Sequence, residues 1–399
     1  MARTTDVVVI GGGYAGVIAA NRLSTNPDLR ITLINPRRAF VERIRLHQRV
    51  AGSHDAVVDL SEVLAPSVQI AVDTVKRIDA GSQTLEQGGG TTRYDYLIYA
   101  VGSHSAAPVV PGAAEHAHPL GTLEQADALQ RALAADPAAP VTVVGGGATG
   151  IETASELAEL GRSVTLVCGD ELGPYLHPAA RREVMRQMDR LGVTVLAGTG
   201  AQATAVEHDA VRLADGRELP SGVTVWTAGF GVPDLAARSG LTTDAVGRLL
   251  TDETLTSVDD DHIVAAGDSA TPSGVPYRMC CASAQLLGAH AAGTVLRRVA
   301  GREPEPFSAP ISGQCLSLGR RAGVLQLSRR DDTAIGVHVG GRLGAKIKES
   351  VSAGSVKGLG MMARRPRLIA GLTLVQDPRR SRLLSKTPAP AGIPGSLAD

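Results

Sequence analysis

Two short glycine arrays carry the first chemistry legible in this chain. In VVVIGGGYAG, Gly11, Gly13 and Gly16 fit G-x-G-x-x-G, and in VTVVGGGATG, Gly145, Gly147 and Gly150 fit it again. The glycines of such an array serve three physical ends: a tight turn, a backbone path close to a pyrophosphate, and close packing of helix on strand. The helix that follows presents free N–H groups and its positive dipole end to the phosphates. One array alone is weak evidence, because glycine-rich turns are common. Two of them, each in strand–turn–helix–strand context, predict two dinucleotide sites.

Other reactive side chains stand singly. His47 can give or take a proton near neutral pH, although Glu42, Arg43 and Arg45 beside it also read as one charged face. Glu152 follows Gly150 by two residues, where the helix dipole favours an acid in any case. Cys168, Cys280, Cys281 and Cys315 show neither a CxxC pair nor metal-ligand spacing. Cys280 and Cys281 precede a helix expected from about residue 282 to 300. A thiol at a helix N-terminus can have a lowered pKa, and a small buried packing thiol is the commoner case.

The elements that must position these groups surround them in the sequence. Residues 6–10 are a continuous apolar run, as in a strand buried on both faces of a parallel sheet. A helical pattern follows through Val17, Ala20 and Leu23, then ITLI, a second strand ending at Asn35. The second copy has a strand at 141–144, a helix through Leu157 and the strand SVTLV running to Cys168. YDYLIYAVGS and GVTVWTAGF form a further matched pair of buried strands. Each is preceded by a short meander pattern, GSQTLEQGGG and RLADGRELP. HIVAAGDSA is a buried strand ending in Gly267-Asp268 and has no duplicate.

The bulk numbers bound the rest. With 399 residues, two or three domains are expected. Lys+Arg and Asp+Glu balance at 40 each, and only 3% of residues are aromatic, so neither a nucleic-acid field nor a base-stacking platform is expected. No apolar run reaches the roughly 18 residues a spanning helix requires. With no signal-peptide pattern and few cysteines, a cytoplasmic location is expected.

In order and spacing, the set resembles the two-dinucleotide-fold flavoproteins of the pyridine nucleotide–disulfide oxidoreductase superfamily. The resemblance implies an α/β fold of two Rossmann-like domains, glutathione-reductase-like, plus a C-terminal α+β domain. It divides the chain into an FAD domain (1–115 with 245–305), an NAD(P)H domain (116–244), an interface domain (306–360) and a tail (361–399). It further implies FAD on Gly11, Gly13, Tyr14, Ala15, Gly16, Asn35, Pro36, Arg37, Arg45, Ala100, Gly102, Gly267 and Asp268, with Asp268 holding the ribityl chain. NADH or NADPH falls to Gly145, Gly147, Ala148, Thr149, Gly150, Glu152, Ala228 and Gly229.

Within the superfamily, NPRRAFVERIRLHQRVAG contains no cysteine where the disulfide reductases carry their redox pair. FVERIRLHQRVAG, TLEQADALQRAL, GIETASELAEL and CLSLGRRAGV are similar instead to the type II NADH dehydrogenases and their apoptosis-inducing-factor-like relatives. That likeness implies Glu152 near the nicotinamide, His47 beside the flavin, and a quinone or quinone-like acceptor. Departures are visible. Asn35 and Cys168 stand at the two strand ends where the family has a ribose-binding acid, and no arginine follows Cys168 directly to meet a 2′-phosphate. Ala282 and Leu286 occupy the places of two quinone-site glutamines, with Gln285 one residue out of register. Two alternatives stay open: a ferredoxin- or rubredoxin-type reductase, for which Arg320, Arg321, Arg329 and Arg330 are docking candidates, and a biosynthetic flavin dehydrogenase or oxidase.

The C-terminal region predicts strands over 313–328 and 333–340 and a short helix at AKIKESV. By the resemblance this domain covers the flavin and can pair two copies into a homodimer. Residues 361–386 hold seven Arg/Lys against one acid and read either as a solvated basic tail or as a peripheral membrane contact, with Pro366 and Pro378 interrupting helix. Residues 387–399, rich in Pro, Gly and Ala, read as disordered.

Overall fold

The computed structural model describes residues 4–310, 313–366, 377 and 379–386. Its centre is two parallel sheets of five strands laid out alike. In the first, Thr5–Ile10 lies between Leu29–Asn35 and Tyr96–Tyr99, with Gln69–Val72 and Ile263–Ala265 at the edges. In the second, Val141–Val144 lies between Val164–Val167 and Val223–Trp226, flanked by Thr194–Leu196 and Ala117–Pro119. Val7, Val9 and Leu97, like Val143 and Val225, are fully buried, which is why these strands are apolar runs rather than alternating ones.

Each sheet has an antiparallel three-stranded meander: Val75–Asp79, Thr84–Gln87 and Gly90–Arg93 for the first, Ala203–Val206, Ala210–Leu213 and Glu218–Pro220 for the second. The chain leaves the first sheet after Tyr99 and returns to it at Ile263, where Val264 pairs with Ile98. Entry to the second half is marked by a capping box, Thr122 with Gln125, at the start of helix Leu123–Ala135.

Helix Cys281–Val299 packs on Tyr14–Leu23, the helix of the first loop. The contact is backbone-close, because a Cβ on Gly288 would stand 2.2 Å from Ala15 O. The C-terminal region corrects the sequence reading. It contains three antiparallel strands, Gln314–Ser317, Gly323–Ser328 and Ala334–Val339, and then a 24-residue helix, Gly341–Arg364, in place of one helical turn or two. Glycines made this stretch look unhelical, yet two of them are contact points. A Cβ on Gly344 would stand 2.2 Å from Gly323 O, and one on Gly360 3.2 Å from Glu62 O. The helix stops just before Pro366, whose ring disfavours helical geometry in the residue ahead of it.

Two arginines of the basic segment are placed by the structure. Arg380 is buried, forms a two-pronged ion pair with Glu253 at 2.8 and 2.9 Å, and lies 4.7 Å over the Tyr277 ring. Arg379 pairs with Asp331 at 2.6 Å. Both cations make ion pairs within the protein, Arg380 buried and Arg379 partly exposed. Residues 367–376, Pro378 and 387–399 lie outside the described residues. Among the described residues, no helix is long and apolar enough to cross a membrane, and no His/Cys/Asp/Glu group could hold a metal ion.

Candidate active site

The two glycine loops have one steric design. Gly11 and Gly145 sit at φ +105° and +127°, where a side chain is strained, and a Cβ on either would stand within 2.5 Å of Ala100 O or Thr227 Oγ1. A Cβ on Gly16 would meet Gly11 O at 1.9 Å, and one on Gly150 would meet Gly145 O at the same distance. Gly13 and Gly147 have nothing within 4 Å of their Cβ positions. Packing therefore does not require these middle glycines, and the open cradle at each helix N-terminus is free for a ligand backbone. Neither N-terminus has a side-chain cap, so the first-turn amides, from Tyr14 and from Ala148 and Thr149 onward, face that cradle.

The strand-end residues are engaged differently. The Gly12 amide donates to Asn35 Oδ1 at 2.9 Å, while Asn35 Nδ2 donates to the Arg37 carbonyl at 2.7 Å. Pro36 is exposed, and the Arg37 guanidinium pairs with Glu124. Across the loop, Ala100 is buried, Gly102 takes φ +71°, and Gly267 takes φ +73°. A Cβ on Gly267 would stand 2.9 Å from that of Ala15. Asp268, 13% exposed, accepts from Ser103 at 2.7 Å through Oδ2 and lies 3.5 Å from Arg43. Burial raises its carboxyl pKa against the pull of Arg43 and Ser103, and its Oδ1 is buried without a partner.

An orphaned acceptor and an open glycine cradle on one wall fit a sugar-phosphate chain carrying hydroxyl donors, so the residues present suit FAD. The Tyr14 hydroxyl is also buried and unpartnered, with its ring edge-on to Phe40 at 5.0 Å. Arg45 is a different matter. Almost fully buried, it binds Glu42 at 3.1 Å, Gln48 at 2.8 Å and Glu349 at 2.6 Å, so its guanidinium is committed inside the protein. Arg43, which the sequence places on the same charged face, is the arginine that reaches Asp268.

At the second loop a cavity of about 180 Å³ is lined by Gly145, Cys168, Gln202, Trp226 and Ala228. Burial pushes the Cys168 thiol up to about 12, so it is a neutral wall. Asp170 accepts from Gln202 at 3.0 Å, and Arg181 is taken up by Glu171. Ala228 O accepts from the Trp226 indole at 3.0 Å, and Gly229 takes φ +83° with its Cβ position 3.2 Å from Ala106.

The fold brings Glu152 and His47 together. Glu152, on the second-loop helix, accepts from the Ser317 amide at 2.9 Å and pairs with Lys348 at 2.9 Å. His47 Nε2 lies 3.0 Å from Ser317 Oγ, and Nδ1 lies 3.8 Å from Glu152. All four residues are buried. Burial pushes the His47 imidazole down to about 4, which Glu152 only partly offsets, so it is neutral at physiological pH. Burial opposes the Glu152 charge too, but Lys348, His47 and the Ser317 amide outweigh it and hold the carboxyl below its usual range. The same pairing holds Lys348 above its own, against desolvation. The cluster thus pairs one fixed charge couple with one neutral imidazole, a set able to hold or move a proton.

The sequence does not single out Ser317 and Lys348, although Ser317 lies in CLSLGRRAGV and Lys348 in AKIKESV, because their role exists only once the C-terminal region folds against Glu152. Of the cysteine pair, Cys280 caps its helix through Ser283, and burial pushes the Cys281 thiol up to about 11, in keeping with a packing thiol there. Ala282 and Leu286 lie on that helix, with Leu286 packed against the first core.

Fold and loops together define an α/β oxidoreductase with two dinucleotide cradles. The chain belongs to the pyridine nucleotide-disulphide oxidoreductase family, whose model matches residues 5–288. It is an FAD-dependent NAD(P)H oxidoreductase. An NADH dehydrogenase-like protein of Mycobacterium tuberculosis is 33% identical over 294 residues, 67% of this chain and 73% of that protein. A type II NADH:quinone oxidoreductase of the same organism is 26% identical over 380 residues, 82% of this chain and 80% of that one. The sulfide:quinone oxidoreductase of Aquifex aeolicus shares the fold with TM-score 0.75 at 21% identity, covering 93% of this chain and 96% of that one.

Proposed function

We propose that the enzyme passes electrons from NAD(P)H through FAD to a quinone or quinone-like small molecule. The observation that carries this reading is the buried Glu152–Lys348–His47–Ser317 cluster, assembled from four separate chain segments. A quinone takes up protons with its electrons, whereas an iron–sulfur protein takes electrons alone, so a buried proton-handling set favours the former. The relatives named as NADH dehydrogenase-like and NADH:quinone oxidoreductase agree with it. Arg320, one of four arginines offered for protein docking, is bound to Glu349 at 3.1 Å instead.

In this reading Gly11, Gly13, Gly16, the amides after them and Asp268 hold the FAD. Gly145, Gly147 and Gly150 receive the nicotinamide dinucleotide. FAD, when bound, supplies the two-electron chemistry. The protein's part is to place the rings, exclude water and keep a proton at hand. Glu152 rests ionised beside Lys348 and takes up a proton only in transit, and neutral His47, hydrogen-bonded to Ser317 Oγ, relays it.

The test is anaerobic mixing of the purified yellow protein with NADH, followed by a soluble benzoquinone or a ferredoxin. Bleaching by NADH and rapid recolouring by the quinone are expected. Recolouring only by the ferredoxin, steeply weakened by salt, would sink the quinone reading.

A further inference from the structure

Quinone reduction by NADH consumes one proton from solvent: NADH + H⁺ + Q → NAD⁺ + QH₂. Because Glu152, His47, Ser317 and Lys348 are all buried, that proton needs an entry. One turn along the helix from Glu152 stands Glu156, 2% exposed, on a neighbouring surface position. Its Oε1 accepts from Ser53 Oγ at 2.7 Å and lies 3.9 Å from Arg320, while its Oε2 is buried with no partner. A buried carboxyl kept for stability alone would have both oxygens satisfied. Ser53 is exposed and lies on the rim of an open cavity of about 490 Å³, beside Glu42, His54 and Asp55.

We propose that Glu156 is the proton inlet of the buried cluster, loaded from water through the Ser53 hydroxyl and unloading toward Glu152 and His47. The inference rests on the quinone reading above. In the loading step Ser53 Oγ–H gives its proton to the Glu156 carboxylate while the same oxygen takes one from water. In the unloading step the Glu156 O–H bond breaks, the Glu152 carboxylate takes the proton in transit and hands it on through His47 to the reduced quinone, and Glu156 returns to the carboxylate. No redox partner beyond NADH and the quinone is involved. The charged groups facing Glu156 are Arg320, Glu159 and Glu152. Burial first, then the two neighbouring carboxylates, raise the Glu156 pKa against Ser53 and Arg320, toward the range in which a carboxyl exchanges protons readily. Glu156 is a positioning residue here: it touches neither dinucleotide cradle.

The experiment uses the full-length FAD holoenzyme reduced with dithionite and then mixed with 2,6-dimethyl-1,4-benzoquinone in stopped flow. Glu156→Gln is expected to slow reoxidation about tenfold near neutral pH, the scale of a lost proton-transfer group. It should also enlarge the solvent isotope effect and remove a limb of the pH profile, while reduction by NADH keeps its rate. Ser53→Ala, at the exposed end of the path, should show the same changes more weakly and serves where Glu156→Gln loses flavin. Variants that reoxidise at the wild-type rate, with unchanged pH profile and isotope effect, would overturn the inlet alone. A wild-type enzyme inert to the benzoquinone would overturn the proposed function, and the inlet with it.

Discussion

At the first loop a Cβ on Gly16 would stand 1.9 Å from Gly11 O; at the second a Cβ on Gly150 would stand 1.9 Å from Gly145 O. The two loops share that geometry, and what faces them separates their roles. Behind the first stand Asp268 with a free buried oxygen and a 19-residue helix packed backbone to backbone. Behind the second stand a neutral thiol, the Gln202–Asp170 pair and an open cavity. A walled cradle suits a prosthetic group that stays; an open one suits a substrate that must leave every turnover. The sterics of the two loops are shared, and the wall residues differ.

The comparison breaks first at the glycines. Gly11→Ala places a Cβ 2.2 Å from Ala100 O at φ +105°, and should cost about 3 kcal/mol or more and give protein without flavin. Gly147→Ala has open space and φ −79°, so it should cost under about 1 kcal/mol and leave the protein yellow. Its effect should fall on the KM for NADH, raised roughly tenfold. Thermal melts with flavin content and steady-state kinetics check the pair; equal stability loss at both glycines would erase the distinction between packing and ligand glycines.

The junction between the halves sharpens the comparison through pH. His47 in the folded state titrates near 4, against about 6.5 when unfolded. Between those values the unfolded chain binds the extra proton, so stability falls as pH drops from about 6.5 toward 4, by up to about 3 kcal/mol. His290, which burial also pushes down to about 4, acts with the same sign. Denaturant midpoints at stepped pH should therefore show a shallower acid slope for His47→Gln, not a flat one. An unchanged slope would mean that His47 is protonated in the folded protein.

The smallest effect belongs to the second cradle's wall. Asp170 is the carboxylate nearest in sequence to the Cys168 strand end, and Arg181 is already held by Glu171. NADH should be preferred over NADPH, and Asp170→Asn should narrow the ratio of kcat/KM values by roughly a factor of five, about 1 kcal/mol. A ratio unmoved by the substitution would assign the preference elsewhere.

The parts of this molecule legible in sequence are those with local causes. Glycine spacing and apolar strand runs depend on neighbours a few residues away, and they announced two sheets and two loops. Glu152 and His47 were visible singly, by position and by residue type. Their meeting was not, because Ser317 and Lys348 arrive from 165 residues or more further along the chain, and nothing in their local sequence points back to Glu152. By the resemblance Arg45 falls to FAD and Arg43 does not, although both lie on one charged face. Only packing decides that one is locked to Glu349 and the other reaches Asp268. The long C-terminal helix was hidden by its own glycines, whose reason lies on the surfaces they touch.

That helix has a consequence for how the protein can be taken apart. Lys348 is the counter-ion of Glu152, and on the next residue Glu349 bridges Arg45 and Arg320. A gene fragment ending before Gly341 would retain both nucleotide loops and still strand a sealed-in carboxylate without its cation, a defect of about 3–5 kcal/mol. Shuffling this C-terminal segment between homologues as an interchangeable module should therefore fail unless both of its ionic anchors travel with it. The smallest heritable unit of this enzyme has three parts, not two.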